Sequence, residues 1–402
     1  MTSLSNTFSL PSIFKRIADE LAVQEQQVSA AVGLLDEGAT VPFISRYRKE
    51  VTGGLDDTQM RNLEERLRYL RELEERRAAI LKSIIEQEKL TPELERDINL
   101  ADTKNRLEDL YLPYKPKRRT KGQIAKEAGL EPLAEALMTN PTLAPDVEAV
   151  KFFNAEHNIN DVKSALDGAK YILMEKFSED AELLGRLRSF LTNEGTLSSR
   201  NVAGKETDTS QEVQKFRDYF EHDEPLKSVP SHRALAMFRG RNEGTLTLAI
   251  KVGDEQPGVG HPCETMIADH WQIKDQGRAA DGWLAEVVRW TWRVKLLTHL
   301  ETDLLSELRE KAEDGAIKVF ASNLKDLLLA APAGQKATIG LDPGMRTGVK
   351  VAVVDATGKV LDHTVMYPTP PLNKIAESEA ILVHLCKKYN VGLIAIGNGT
   401  AS

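Results

Sequence analysis

The chain has 402 residues, 61 acidic and 53 basic, for a net charge of −8, with 28% charged residues. That length exceeds one ordinary core and predicts two or three domains, and the acidic balance excludes a global basic footprint, so any contact with nucleic acid must come from a local patch. No apolar run approaches the roughly 18 to 20 residues of a membrane helix, residues 1–6 lack the basic start of a signal peptide, and Cys263 and Cys386 show no pairing pattern, which together point to the reducing cytoplasm and no membrane partner.

The first sixty residues read as short helices. Phe14, Ile17, Ala18 and Leu21 share one face; Val28, Ala31, Val32 and Leu35 share the next. Pro42 opens a third helix at a first-turn position where a missing N–H is harmless. This helix carries Phe43, Ile44 and Tyr47, and beside them Arg46, Arg48 and Lys49. Thr52-Gly53-Gly54 breaks the chain. Asp56 or Asp57 then caps a long charged helix to about residue 89, with Leu63, Leu67, Leu70, Leu73, Leu81 and Ile84 as its seam. Short helices with tight turns near residues 10–75 are compatible with a helix-turn-helix-like unit. On that reading Arg46, Arg48 and Lys49 meet phosphates; otherwise they form a solvated or ion-paired face.

Tyr111-Leu112-Pro113-Tyr114-Lys115-Pro116-Lys117-Arg118-Arg119-Thr120-Lys121 holds two prolines that exclude a regular helix. Lys115, Lys117, Arg118, Arg119 and Lys121 put five cations in seven residues, with Tyr111 and Tyr114 adjacent. An extended basic loop with aromatics can track a phosphate backbone and stack bases. The alternative is that its arginines pair with acidic helices such as the one holding Glu93, Glu95 and Asp97.

Helices are expected again over 139–197, with Leu166, Ala169, Ile172, Leu173 and Phe177 as a core face. A polar loop is expected over 198–210, a helix from Val213 through Phe220, and a short helix capped by Ser231. Residues 245–252 alternate as a strand, and 253–260 are turn-rich. His261, Cys263 and His270 are too few for a zinc site of four ligands, so no metal is assigned. All four tryptophans fall within residues 271–292. They are expected as packing anchors of a helix over about 280–313 whose stripe is Leu284, Val287, Val288, Val294, Leu297, Leu304, Leu305 and Leu308. That helix reads as a strut, and residues 331–335 as a hinge.

The last stretch organises the chain. Thr338-Ile339-Gly340-Leu341 delivers Asp342 to a Pro343-Gly344 turn, and two further strands come next, from Val349 and from Val360. A helix over about 374–389, with Ile375, Ser378, Leu382, Leu385, Cys386 and Tyr389 on one face, precedes a short strand ending at Ile396. Strand, strand, strand, helix, strand is the opening half of an RNase H-like domain, with the first and last strands parallel through the crossover. Asp342 and Gly397-Asn398-Gly399 would meet at the carboxyl ends of those strands, where such sheets bind ligands. A chain ending at its own switch point reads as part of a longer protein. Two-metal nucleases need several converging carboxylates. Asp342 stands where the first belongs, but Asn398 replaces the second acid, and Asp355 and Asp362 belong to the remote end of the sheet. A non-catalytic domain is expected, with Asp342 vestigial, no bound metal and no cofactor. Residues 342–348 are also compatible with the phosphate loop of actin-like ATPases, although Pro343 removes one backbone donor.

Four strings resemble the Tex family of bacterial transcription accessory proteins: Thr40-Val41-Pro42-Phe43-Ile44-Ser45-Arg46-Tyr47-Arg48-Lys49-Glu50, the string from Leu110 to Thr120, Phe238-Arg239-Gly240-Arg241-Asn242-Glu243-Gly244, and Ile339-Gly340-Leu341-Asp342-Pro343-Gly344. The resemblance implies a mainly α N-terminal region over 1–200 with its helix-turn-helix-like part, a central helical region with a short β-hairpin and long connecting helix over 201–330, and over 331–402 the first half of a YqgF/RuvC-like α/β domain of RNase H fold. It also implies helix-hairpin-helix modules and an S1 RNA-binding domain further on. The expected function is a nucleic-acid-binding scaffold in RNA metabolism and transcription, with RNA or DNA as ligand and RNA polymerase or the ribosome as candidate partners. The competing class is a metal-dependent nuclease or resolvase using Asp342.

Overall fold

The computed structural model describes residues 10–116, 118–204, 210–253, 260–329, 333–344 and 347–397. Lys117, Met345, Arg346, Asn398, Gly399 and the first residues of the hinge therefore lie outside the described residues. The chain divides into two compact units, 1–316 and 317–402.

The first unit opens with α1 (Ile13–Leu21), α2 (Glu25–Asp36) and α3 (Val41–Tyr47). Each boundary has a local cause. The Ser12 hydroxyl accepts from the Lys15 N–H, and Ala22 ends α1 in the left-handed region. The 30-residue α4 (Asp57–Glu86) starts at a reciprocal capping box between Asp56 and Gln59. Its seam is Leu63, Leu67, Leu70, Leu73, Ile80 and Ile84, all buried; Leu81, expected among them, is only partly buried. α5 (Pro92–Leu100) and α6 (Lys104–Tyr111) complete this first core. Arg77, buried in that seam, donates to the carbonyls of Ile98 and Ala101 and so satisfies the end of α5.

A second core lies under α7 (Lys121–Glu127), α8 (Glu131–Thr139), α9 (Pro145–Ala149), α10 (Val162–Ser178) and α11 (Ala181–Glu194). Here the expected loop over 198–210 is corrected: its first residues belong to β1 (Thr196–Asn201), the centre of an antiparallel three-stranded sheet. The helix expected from Val213 breaks into one α turn, α12 (Gln211–Gln214), and a 3-10 turn, Arg217–Tyr219, because the sheet claims the backbone at the end of the segment. Asn201 N donates to Phe220 O at 3.1 Å, Ser199 Oγ donates to Tyr219 O at 2.7 Å, and β2 (Glu221–Pro225) begins. α13 (Ser231–Asn242) and β3 (Leu246–Lys251) come next, giving the order β2-β1-β3.

α14 (Pro262–His270) and α15 (Asp281–Trp290) lead through a π-helical segment, Thr291–Leu296, into α16 (Leu297–Leu328), within which the boundary of the two units falls. A π turn holds one residue more than an α turn and shifts the phase of the residues beyond it. Val294, expected on the apolar stripe, is thereby 49% exposed, while Trp292 and Leu296 are buried. Trp290 is likewise exposed, under the Lys170 ammonium 5.1 Å from its ring; Trp271 and Trp283 pack on the core as anchors.

The second unit contains β4 (Thr338–Asp342), β5 (Val349–Val354), β6 (Val360–Met366), α17 (Ile375–Tyr389) and β7 (Leu393–Ile396). The sheet order is β6-β5-β4-β7, antiparallel except for the parallel pair β4–β7. Ile339, Leu341, Val351 and Val353 form its core with Leu385 of α17. Ile375, expected on the buried face of α17, is 51% exposed in the helix's first turn, while Ser378 and Leu385 are buried. The chain is therefore a helix-rich region followed by an α/β domain.

Candidate nucleic-acid interface

α3 presents two unlike faces. Val41 and Ile44 are buried in the first core; Phe43 and Tyr47, one turn apart, are 46% and 66% exposed, and Arg46, Arg48 and Lys49 are exposed beside them. The segment is pinned from behind. Gln27 of α2 donates through Nε2 to the carbonyls of Thr52 and Gly53 at 3.3 and 2.8 Å. Gly54 N donates to Lys49 O at 2.9 Å, and Gly53 and Gly54 take φ of +62° and +95°, values that favour glycine. Arg48 lies 3.7 Å from the Glu50 carboxylate. Arg46 and Lys49 form no ion pair among the described residues.

The loop before α7 is shorter and less free than its composition implies. Leu112–Tyr114 is a single 3-10 turn, and Thr120 caps α7, so Lys121 is the first residue of that helix. Tyr111 is 7% exposed, its hydroxyl 3.0 Å from Ser83 Oγ, so it packs in the first core and cannot stack a base. The Tyr114 carbonyl accepts from Gln87 Nε2 at 2.9 Å. Arg119 pairs with Glu127, not with the acids of α5. The Lys121 ammonium lies 4.9 Å over the Tyr171 ring. Lys115 and Arg118 are exposed and form no ion pair among the described residues. Behind the loop is a cleft of about 950 Å³ whose walls mix Lys89, Lys115, Lys126 and Lys176 with Glu131, Glu135, Glu175 and Glu179. Such a wall carries no net preference for a polyanion.

The two cationic segments are not merged into one site. Arg46, Arg48 and Lys49 precede Asp56 at the start of α4, whereas Tyr114 is held by Gln87 at its end. A 30-residue helix rises about 45 Å.

In the sheet of the second unit, Gly397 N donates to Leu341 O at 2.8 Å, which sets the end of β7 beside Asp342. Asp342 is exposed, and the charge facing it is the Lys350 ammonium at 3.7 Å. Register places the other acids at the far end: Thr338 pairs with Val354, and Val353 with Asp362. Both already have partners. The Asp355 carboxylate accepts from the N–H groups of Thr357 and Lys359 at 2.8 and 3.0 Å, and Asp362 accepts from Tyr389 Oη at 2.8 Å. These bonds hold both carboxyls below the usual carboxylate range, led by the Thr357 hydroxyl for Asp355 and the Tyr389 hydroxyl for Asp362. His261, Cys263 and His270 do not gather into one metal-ligating group among the described residues: the His261 ring packs tilted against Trp292, Cys263 is buried, and His270 faces Asp180 at 3.2 Å. No helix among the described residues is long and apolar enough to cross a membrane.

Sequence reasoning placed Phe43 and Tyr47 on the helix and missed that they are an exposed pair. The signal was present: Ile44 lies about 100° from Phe43 on a helix, so the buried Val41–Ile44 side leaves the i, i+4 pair outside.

Three of the four strings that resemble the Tex family fall within matches to its domain models, and the string from Leu110 to Thr120 falls outside them. Residues 11–85 match the Tex-like protein N-terminal domain, 140–320 the Tex central region-like family, and 336–402 the Tex protein YqgF-like domain. The chain is 59% identical over 394 residues to Protein YhgF of Escherichia coli strain K12, covering 97% of this chain and 50% of that protein. It is 53% identical over 393 residues to the transcriptional accessory protein Tex of Neisseria gonorrhoeae, again 97% and 50%. To S1 RNA-binding domain-containing protein 1 of Homo sapiens it is 27% identical over 383 residues, 92% of this chain and 37% of that protein. The chain thus spans about half the length of the bacterial relatives.

Proposed function

The chain belongs to the Tex family, and on that premise we propose that it is part of a nucleic-acid-binding scaffold in transcription and RNA metabolism that grips its ligand and catalyses nothing. The carrying observation is that two short segments each keep exposed cations without carboxylate partners among the described residues, Arg46 and Lys49 on one and Lys115 and Arg118 on the other, in a chain of net charge −8. Cations left unpaired beside so many acids are free to release counterions from a phosphate backbone. Arg48, Arg119 and Lys121 contribute from partnered positions, and Lys117 shares the second segment.

On this reading α1 to α3 act as the helix-turn-helix-like unit, and the second unit is a RuvC-like domain without nuclease chemistry. A lysine facing Asp342, and two other aspartates committed to turns and side chains at the remote end, support that reading. The name of the Neisseria relative supports a role in transcription, and that of the human relative supports RNA as ligand. In the whole protein, S1 and helix-hairpin-helix modules supply further binding, with RNA polymerase or the ribosome as the assembly served. Two free thiols fit a reducing cytoplasm.

The test is binding of RNA and DNA across a salt series. Replacing Arg46 and Lys49, or Lys115 and Arg118, with Ala lowers affinity and flattens the slope of log K against log salt by about 1 per lost contact. An unchanged slope in both variants assigns these cations to the scaffold. Mg²⁺-dependent cleavage of branched DNA that Asp342→Asn abolishes overturns the non-catalytic reading.

A further inference from the structure

We propose that Phe43 and Tyr47 form a base-stacking platform, so that the α3 patch takes single-stranded nucleic acid in preference to duplex. The inference rests on the reading of Arg46 and Lys49 as phosphate contacts and adds the two rings exposed on the same segment. The ring centroids of Phe43 and Tyr47 are 5.5 Å apart with the planes at 46°, so the two rings present adjacent, angled surfaces to solvent. Exposed aromatic rings elsewhere among the described residues are not paired in this way: Trp290 lies under Lys170, and Phe153 and Phe320 have no ring partner. Large apolar rings held in water carry a standing cost that a stacked base removes.

Charge decides the class of ligand. Three cations, Arg46, Arg48 and Lys49, lie within one turn of Tyr47, and the acid of the segment, Glu50, faces Arg48. Aromatic rings and arginine also occur at protein interfaces, but lysine is depleted there, whereas several cations interleaved with aromatic faces are the pattern that binds backbone and bases of a single strand together. In a duplex the base faces are already stacked on each other, so the rings would meet sugar and phosphate and gain little. Preorganisation favours the site as well. Gln27 and the Thr52-Gly53-Gly54 turn fix the cationic segment against α2, and Thr52 is fully buried. Little order must therefore be imposed on binding.

The experiment compares the whole chain with a Phe43→Leu/Tyr47→Leu variant on three fluorescent probes: a short oligoadenylate RNA, the matching DNA strand, and a DNA duplex of the same length. Both sites are solvent-facing, so the variant is expected to melt at the wild-type temperature, and Phe43→Trp/Tyr47→Trp serves as the stacking-competent control. Expected is a loss of about tenfold or more on the single strands, little change on the duplex, an unaltered salt slope, and wild-type binding by the tryptophan variant. The ratio of the RNA and DNA arms tells which strand is the ligand. Equal loss on strand and duplex overturns the proposal, as does no loss where Arg46→Ala/Lys49→Ala still flattens the slope; the phosphate reading then survives alone. If the cation variant leaves the slope untouched, the phosphate reading fails and this inference with it. Loss of a protein partner, with all three probes bound as before, also overturns it.

Discussion

Arg188 of α11 and Asp109 of α6 form a two-pronged ion pair in the interior of the first unit. The guanidinium Nη1 donates to Oδ2 at 2.5 Å and Nη2 to Oδ1 at 2.9 Å, with both side chains largely buried. Nη2 also lies 3.3 Å from Asp303 of α16. One cation thus ties together a helix of the first core, a helix of the second, and the long helix beyond the π turn.

Removing one member of such a pair leaves the other charged and dry. Asp109→Ala is expected to destabilise the unit by up to about 3 kcal/mol, because the buried Arg188 then keeps only its single 3.3 Å contact with the more exposed Asp303, and a buried charge short of partners is penalised beyond the net worth of the pair. Asp303→Ala costs less, since Asp109 remains. Replacing the pair together, Arg188→Met with Asp109→Leu, recovers much of the loss. Urea denaturation midpoints check all three; an Asp109→Ala protein as stable as wild type removes this pair from the forces holding the fold.

The Asp281 carboxylate gives a pH signature. The Arg278 guanidinium, helped by the N–H groups of Gln276 and Arg278 at 2.8 and 2.9 Å, holds it down to about 2, below the ordinary 3.8. A depressed carboxyl contributes its stabilisation above the unfolded value and loses it as pH falls through the folded one. Wild type should therefore lose stability between about pH 3.8 and 2 more steeply than Asp281→Asn, which has no proton to gain there. Thermal melts of both proteins across that window test it; parallel curves contradict the assignment.

The two thiols should differ in reactivity. Burial, with the Glu264 charge adding to it, pushes Cys263 up to about 12, so almost none is thiolate near neutrality. Cys386 is only partly buried. Titration with a chromogenic disulfide at pH 8 is expected to modify Cys386 readily and Cys263 only after denaturant is added. Fast labelling of Cys263 in the native protein would contradict its packing.

Gly240, within the string from Phe238 to Gly244, is set by close approach. A Cβ there would sit 2.5 Å from Leu246 Cδ1 and 3.2 Å from Phe216 Cδ1. Gly240→Ala is expected to cost about 1–3 kcal/mol through overpacking, read as a lower melting temperature, with nucleic-acid affinity per folded molecule unchanged. Glu243 of the same string receives both Lys215 and Arg239, so much of this string serves structure.

Much of the architecture is readable from residue order. Caps such as Asp56 and periodic faces such as Leu63, Leu67 and Leu70 announce helices within a few residues. Apolar runs around Gly340 and Val351 announce the second sheet, and the crossover makes β4 and β7 parallel neighbours. β1 is hidden because Ser198 and Ser199 are polar yet buried at its centre, so no alternation marks it. Val294 falls off the expected stripe because a π turn leaves no mark in composition.

The sequence by itself determined the helix-rich region and the α/β domain, the family, and the two segments where cations gather, because caps, periodicity and composition are properties of neighbouring residues. Only the tertiary structure decided which of those cations are free. Arg119 meets Glu127, while Arg46 and Lys49 meet no acid among the described residues; Tyr111 turns inward to Ser83, while Phe43 and Tyr47 face water. The physical reason is that ion pairing and burial depend on distance in space, and partners as far apart in the chain as Asp109 and Arg188 are brought together by packing alone.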